Sequence, residues 1–84
     1  MFVVYVLKSL KDGNMYIGHT ANMQKRFSAH QKGKVRSTKS RRPFELAYTE
    51  KYSTKSEAYK REMFLKTGIG RKFLREKLKD VSED

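Results

Sequence analysis

Cysteine is absent from the 84-residue sequence, and no apolar run is long enough to span a bilayer. Without cysteine, the chain can form neither a disulfide nor a thiolate zinc site, which is compatible with a reducing cytoplasm. The first apolar run, residues 2–7, has neither a basic segment before it nor a small-residue cleavage pattern after it. We therefore expect a cytoplasmic protein with a single hydrophobic core.

Acidic residues are also scarce, with 9 Asp and Glu against 20 Lys and Arg, and the formal net charge is +11. None of them lies between Asp12 and Glu45. Such a charge attracts polyanions, and nucleic acid is favoured over a membrane surface because no long amphipathic helix is evident. A solvated loop that serves solubility alone is the alternative. The cations of this segment are Lys25, Arg26, Lys32, Lys34, Arg36, Lys39, Arg41 and Arg42.

Two apolar segments near the N-terminus predict a β-hairpin. Residues 2–9 are β-branched and aromatic, as in a strand covered on both faces, and residues 15–19 form a second strand. If the turn between them is tight, position 9 faces position 16, and Tyr5, Tyr16 and Gly18 share one face of the hairpin. A slip of one residue would reverse this assignment.

A helix follows the hairpin. Asn22 is a natural N-cap, and Gly33 is a suitable end. Apolar residues at helical spacing define the buried face, and Arg26 and His30 fall inside or beside the same arc. These two polar side chains are therefore expected on or next to the buried face.

The middle of the chain predicts a loop and a third strand. Residues 33–42 lack periodicity and are rich in Ser, Thr, Lys and Arg, which is typical of a mobile loop. Residues 44–52 alternate between apolar and polar side chains. Phe44, Leu46 and Tyr48 are accordingly expected on one face of a half-exposed strand.

Two helices are predicted at the C-terminal end. A capping box at residues 54–57 starts a helix that runs to about Lys66, and Gly68 ends it. Residues 70–78 predict a final short helix, followed by a frayed tail over residues 79–84. The order β-β-α-β-α-α favours an α+β fold with helices on one side of a small antiparallel sheet. We expect one domain over the whole chain, with its core at about residues 2–78.

Glu62 is an acidic residue on the apolar face of a predicted helix. On a helical wheel it lies between Ala58 and Leu65, where desolvation of a carboxylate is costly. Two interpretations stay open: a salt bridge to a local Arg or Lys, or a metal ion. A single glutamate suffices for magnesium when water and substrate phosphate oxygens complete the coordination shell.

The remaining candidates for chemistry are two tyrosines, an arginine and a histidine. Tyr5 and Tyr16 could serve packing alone, but a phenol near cations and a metal has a lowered pKa and could accept a proton from water. The planar fork of Arg26 suits phosphate oxygens. His30, one turn later, could shuttle a proton or hold a tyrosine or a phosphate by a hydrogen bond.

Several motifs together resemble the GIY-YIG nuclease superfamily. They are VYV at 4–6, YIG at 16–18, T-x-N-M-x-x-R-F-x-x-H at 20–30 and A-x-x-x-E-x-x-L-K at 58–66. The resemblance runs over roughly residues 2–78 and is closest to small stand-alone members without added DNA-recognition domains. It implies a three-stranded antiparallel sheet flanked by helices, and hydrolysis of nucleic-acid phosphodiesters with one metal ion.

The resemblance also implies roles for individual residues. Tyr5 and Tyr16 match the signature tyrosines of the active face, and Arg26 matches the arginine that contacts the scissile phosphate. Glu62 matches the metal-binding glutamate, and His30 a position that holds histidine or tyrosine. Beside Tyr16, Gly18 is expected to leave room for a phosphate. His19 stands where some repair nucleases of the superfamily have a lysine, so it is either structural or a phosphate contact.

The sequence therefore predicts an endonuclease that depends on one Mg²⁺ or Mn²⁺ ion and cleaves DNA rather than RNA. Branched, nicked or single-stranded DNA of the kind met in repair or recombination is the expected substrate. We expect backbone contacts to dominate over base contacts, and no small-molecule cofactor. A binding module that keeps the scaffold with little or no activity, and docks nucleic acid or a protein partner through residues 32–42, is the alternative. A ribosome- or RNA-associated protein is a third, less favoured hypothesis.

Overall fold

The computed structural model describes residues 1–82 and has the predicted order of elements. The strands and helices are β1 (Phe2–Ser9), β2 (Met15–Thr20), α1 (Met23–Gln31), β3 (Phe44–Tyr52), α2 (Lys55–Leu65) and α3 (Gly68–Ser82). A short 3₁₀ helix, Lys39–Arg41, interrupts the loop before β3. No helix in this part of the chain is both long enough and apolar enough to cross a membrane.

The three strands form one antiparallel sheet in the order β2-β1-β3, which confirms the α+β fold. The central strand β1 is covered on both faces, as predicted. Val4 and Val6 pack with Leu65 of α2 and Leu74 of α3, whereas Tyr5 lies in a second cluster that includes residues of α1. The expectation of helices on one side of the sheet is therefore wrong, because a strand that is apolar on both faces needs cover on both.

The hairpin register differs from the tight-turn prediction by two residues. Lys8 pairs with Met15, and the Ser9 backbone N–H bonds the Asn14 carbonyl across a loop over residues 10–13. The Ser9 hydroxyl oxygen accepts two backbone N–H groups of that loop and so stabilises a wider turn. Since a shift of two residues preserves the alternation of side chains, Tyr5, Tyr16 and Gly18 still share a face.

A β-bulge in β3 overturns the predicted alternation. Val6 pairs with Tyr48 and Leu7 with Leu46, so Ala47 is the extra residue. Phe44 consequently packs in the cluster of Tyr5 and Leu7, while Tyr48 packs on the other face of the sheet. The prediction that Phe44, Leu46 and Tyr48 share one face is wrong, because an inserted residue reverses the alternation.

The capping box and the start of α2 are confirmed, but α3 is longer than predicted. Thr54 and Glu57 exchange the two capping hydrogen bonds. Gly68 is the first residue of α3 rather than only the end of α2, and the Thr67 hydroxyl accepts the Gly70 N–H at its start. A Cβ at Gly70 would overlap the Phe64 carbonyl oxygen, so glycine lets the two helices cross closely. The tail predicted to fray is helical as far as residue 82, and residues 83–84 lie outside the described part of the chain.

Candidate active site

Tyr5, in the middle of β1, links the sheet to α1 through its hydroxyl group. Its side chain is 1% exposed, and its oxygen lies 3.0 Å from Nε2 of His30 and 3.3 Å from Nε of Arg26. Gly18 is directly opposite on β2, and an added Cβ there would come within 2.6 Å of the same oxygen. Gly18 thus makes room for Tyr5, while its contact with a phosphate stays a prediction.

The hydrogen bonds around His30 define where its proton lies. The Val35 carbonyl can only accept, so the Thr38 hydroxyl donates to it at 3.4 Å and accepts from Nδ1 of His30 at 2.8 Å. In a neutral imidazole, Nε2 is then the acceptor for the Tyr5 hydroxyl proton. Arg26, which can only donate, bonds the Tyr5 oxygen from the other side. Each group in this chain therefore has one defined role. Arg26 donates to Tyr5, Tyr5 to His30, and His30 to Thr38, which in turn donates to the Val35 carbonyl.

The protonation states of this cluster follow from burial and from one charge. Burial, together with the charge of Arg26, lowers the pKa of His30 to about 4, so the ring is neutral at pH 7. Burial raises the pKa of Tyr5 above its usual value, although the hydrogen bond and charge of Arg26 oppose the rise. Without a metal ion, one adjacent cation does not offset the burial of Tyr5, so the lowered phenol pKa expected near cations and a metal stays a prediction for the metal-bound protein.

Tyr16 lies at the open side of the same cluster. Its ring centroid is 5.1 Å from that of His30 and 6.4 Å from that of Tyr5, and its side chain is only partly buried. The hydrogen bond to Tyr5 raises the pKa of Arg26, and Tyr16 acts in the same direction. The structure thus brings Tyr5, Tyr16, Arg26 and His30 together in one group, the tyrosine cluster, with Tyr16 the more accessible of the two phenols.

Glu62 occupies the buried face of α2, 8% exposed, with both carboxylate oxygens paired. Oε1 lies 2.6 Å from Nδ1 of His19, and Oε2 lies 2.7 Å from Nζ of Lys66. Burial alone would raise the pKa of Glu62, but the hydrogen bonds from Lys66 and His19 outweigh it and lower the pKa below its usual value. Glu62 is therefore ionised, and the salt bridge proposed for it from sequence is present.

The edge strand β2 contacts two centres, the tyrosine cluster and Glu62. Gly18 faces Tyr5, and the next residue, His19, points to the opposite side of the strand, where it holds Glu62. The negative charge of Glu62 contributes to the raised pKa of Tyr5, so the centres interact electrostatically. Adjacent residues of one strand thus connect the tyrosine cluster with the carboxylate.

Comparison with known proteins identifies the arrangement. A family model described as the GIY-YIG catalytic domain matches residues 1–73. The chain belongs to the GIY-YIG family. It is 43% identical over 81 residues to a UPF0213 protein of Staphylococcus saprophyticus, covering 95% of this chain and 93% of that protein. A UPF0213 protein of Staphylococcus haemolyticus is 46% identical over 65 residues, which is 76% of this chain and 78% of that protein.

A solved structure shares the fold of this GIY-YIG chain. The solution NMR structure of the UPF0213 protein BH0048 from Bacillus halodurans superposes with a TM-score of 0.55 at 32% sequence identity. The match covers 90% of this chain and 84% of the other. The three-stranded sheet and its helices are therefore shared with that UPF0213 protein.

The donor set of this GIY-YIG protein suits one hard cation with few protein ligands. Among the side chains that the structure describes, those of residues 1–79, no group of three His, Cys, Asp or Glu comes together. Glu62 would supply one carboxylate oxygen, and Mg²⁺ accepts a shell completed by water and phosphate oxygens. Glu50, the other partly buried carboxylate, is engaged by Tyr48, Tyr52 and Arg61 and so serves the packing of β3 on α2.

The predicted nucleic-acid contacts of the GIY-YIG chain fall into two groups. Arg41 is half-buried, pairs with Asp12 and donates to the Met15 carbonyl, so it ties the loop to the hairpin. Arg42 donates to the Lys39 carbonyl. His19, predicted as structural or as a phosphate contact, has Glu62 as its partner. The remaining cations are exposed, and they are Lys25, Lys32, Lys34, Arg36 and Lys39.

Two residues of the site were missed at the sequence level. Thr38, in the loop before β3, is fully buried and bonds His30, but a threonine in a loop without periodicity carries no signal that would reveal this contact. Lys66 does carry a sequence signal, because it stands four residues after Glu62 and therefore lies next to it on the same helix face. That spacing could have identified it as the partner of the buried carboxylate.

Proposed function

We propose that this GIY-YIG protein is an endonuclease that hydrolyses DNA phosphodiester bonds with the help of one divalent metal ion. The observation that carries the proposal is the fixed hydrogen-bond order around Tyr5. It holds the guanidinium of Arg26 and a neutral His30 beside the partly exposed Tyr16. A cation that is held in place before the substrate arrives needs no reorganisation as charge develops on the phosphate.

Arg26 is the group that binds the scissile phosphate. Its pKa is raised, first by its hydrogen bond to Tyr5, so its charge persists at every relevant pH. A planar guanidinium can donate to two phosphate oxygens at once. Arg26 thereby orients the scissile group and stabilises the negative charge that accumulates in the transition state.

Tyr16 is the phenol that faces the attacking water. Tyr5 is buried and donates its hydroxyl hydrogen bond to His30, whereas Tyr16 is partly exposed and lies beside Arg26. A general base must reach the attacking water, which the partly exposed Tyr16 can do and the buried Tyr5 cannot. Tyr5 and His30 then act as the support that keeps Arg26 in place.

Glu62 would hold the metal ion. When bound, a divalent ion at this carboxylate would act as a Lewis acid towards the phosphate and stabilise the leaving oxygen. The ionised state of Glu62 suits this role, because a protonated carboxyl group is a poor ligand. His19 orients the carboxylate through its 2.6 Å hydrogen bond.

The exposed cations of the basic segment, residues 32–42, bind the DNA backbone. Phosphate contacts position a protein without reading sequence, so selectivity should follow DNA shape. Branched, nicked and single-stranded DNA, of the kind processed in repair and recombination, is therefore the substrate class to test first.

The test is a cleavage assay on plasmid, single-stranded, flap and four-way DNA with Mg²⁺, Mn²⁺ or EDTA. Glu62→Gln and Arg26→Ala should abolish cleavage and leave DNA binding largely intact. Glu45→Gln and Arg75→Ala, at exposed positions on β3 and α3, are the matched controls and should cleave normally. Full cleavage by Glu62→Gln, with contaminating nucleases excluded, would contradict the proposal.

One observation favours a second candidate, a binding module without activity. Both oxygens of Glu62 are already paired with cations of the chain itself, as expected of a site that has no need of metal. This candidate predicts salt-sensitive DNA binding and no metal-dependent product on any substrate. The same assay, with binding measured alongside cleavage, separates the two.

A further inference from the structure

Lys66 and Glu62 form an ion pair with unequal exposure. The Glu62 side chain is 11% exposed, whereas the Lys66 side chain is 42% exposed and lies at the C-terminal end of α2. The ammonium nitrogen is 2.7 Å from Oε2. The carboxylate is therefore fixed in the fold, while its cationic partner can leave towards solvent without disturbing the core.

The buried carboxylate needs this partner when no metal is present. An ionised carboxylate removed from water is costly unless a cation compensates it. His19 donates a hydrogen bond to Oε1, but an imidazole contributes a positive charge only when it is protonated. The permanent positive charge at Glu62 is thus supplied by Lys66.

We propose that Lys66 is a resident counter-ion that holds the metal position of Glu62 in the metal-free protein and leaves when a divalent ion binds. The inference rests on the proposed role of Glu62 as the metal ligand. A divalent cation and an ammonium group cannot both lie against the same oxygen without strong mutual repulsion. Metal binding is consequently coupled to the release of Lys66.

The released ammonium group has a new partner nearby. Because Lys66 bonds the same carboxylate, it would lie next to a phosphate that bound to an ion at Glu62. A phosphate oxygen can accept its proton in place of Oε2. Lys66 thus competes with the metal in the absence of substrate and supports the substrate once the metal is bound.

The test compares Mn²⁺ binding to the wild type, Lys66→Met and Lys66→Gln, measured by isothermal titration calorimetry and by the EPR signal of free Mn²⁺, without DNA. If the paired state holds about nine-tenths of the molecules, removing the ammonium group tightens Mn²⁺ binding about tenfold. Lys60→Met, at an exposed position on the same helix, removes the same charge away from Glu62 and should bind Mn²⁺ as the wild type does.

A second measurement does not depend on affinity. In metal-free buffer Lys66→Met should melt at a lower temperature than the wild type, and Mn²⁺ should raise its melting temperature by more than it raises that of the wild type. Equal or weaker Mn²⁺ binding by both Lys66 variants would overturn the inference. Equal binding by the wild type and Glu62→Gln would instead show that Glu62 is not the metal ligand, which contradicts the proposed function itself.

Discussion

Tyr5 donates its phenolic proton to Nε2 of His30 over 3.0 Å, and neither side chain reaches solvent. Nε2 of His30 is free to accept this bond because Nδ1 carries the proton and donates it in a hydrogen bond to the Thr38 hydroxyl oxygen. The state of the tyrosine cluster is therefore set by a residue of the basic segment.

Replacing Thr38 with valine should weaken both stability and activity. The change leaves Nδ1–H of His30 buried without an acceptor, which costs about 1–3 kcal/mol of unfolding free energy. Urea denaturation measures this loss, and Thr38→Ser, which keeps the hydroxyl group, should restore most of it. Identical stabilities for the two variants would show that the hydroxyl group does not hold His30.

Replacing Gly18 with alanine should displace the Tyr5 ring. The new methyl group would lie 2.6 Å from the phenolic oxygen, and Tyr5 could move away only by breaking its bonds to His30 and Arg26. We expect a loss of about 1–3 kcal/mol, the usual cost of overpacking a filled core, together with loss of cleavage.

Gly68→Ala is the control for that substitution, because a Cβ at Gly68 meets nothing within 4 Å and the residue is helical. Its stability should be unchanged or slightly higher, since alanine favours a helix over glycine. Thermal melts of Gly18→Ala and Gly68→Ala give the comparison. Equal melting temperatures would argue against the close contact between Gly18 and the Tyr5 ring.

Stability should fall as the pH is lowered from about 6.5 to about 4, because of His30. The pKa of His30 is lowered to about 4 in the folded protein, from an ordinary value of 6.5. Between these values the unfolded chain binds the proton and the folded protein does not, so the unfolded state gains stability as the pH falls. The stabilising contribution is complete above pH 6.5.

Urea denaturation between pH 7 and 5 measures this dependence. The comparison with His30→Gln isolates His30 from the carboxylates with lowered pKa, whose contribution is lost at lower pH. The variant should show a flatter profile over this range. The same slope in both proteins would indicate that another group is responsible.

Arg36 and Arg41 both belong to the basic segment, but their replacement should affect different properties, DNA binding for Arg36 and stability for Arg41. Arg36 is exposed, so Arg36→Ala should weaken DNA binding, reduce the slope of log affinity against log salt by about 1 and leave the melting temperature unchanged. Arg41 contacts Asp12 and the Met15 carbonyl, so Arg41→Ala should lower the melting temperature instead. Fluorescence anisotropy with labelled DNA at several salt concentrations, alongside thermal melts, decides between these effects.

The strands and helices could be predicted because their signals are local. The apolar run of β1, the N-cap Asn22 and the capping box at Thr54 each act within a few residues and appear in the structure as predicted. The hairpin register was wrong by two residues because it depends on the Ser9 side chain bonding to the loop. Periodicity in the sequence does not record such a bond.

The site could be predicted only in part for the same reason. Tyr5, Arg26 and His30 follow from the faces of one strand and one helix, and the structure places them together. The contact of Thr38 with His30 depends on how an irregular loop folds back onto α1, and no local pattern encodes this path. The raised pKa of Tyr5 in the metal-free protein could not be predicted, because its burial, a tertiary property, outweighs the nearby charge.

The position of Thr38 has a consequence for how substrate binding and chemistry depend on each other. Its hydroxyl group bonds His30 within the tyrosine cluster, and its backbone belongs to the segment that carries the exposed cations. A DNA strand that shifts this segment also shifts the acceptor of the His30 proton. The segment proposed to bind the DNA backbone and the group proposed to hold Arg26 in place therefore share one residue, and a change at Thr38 affects both.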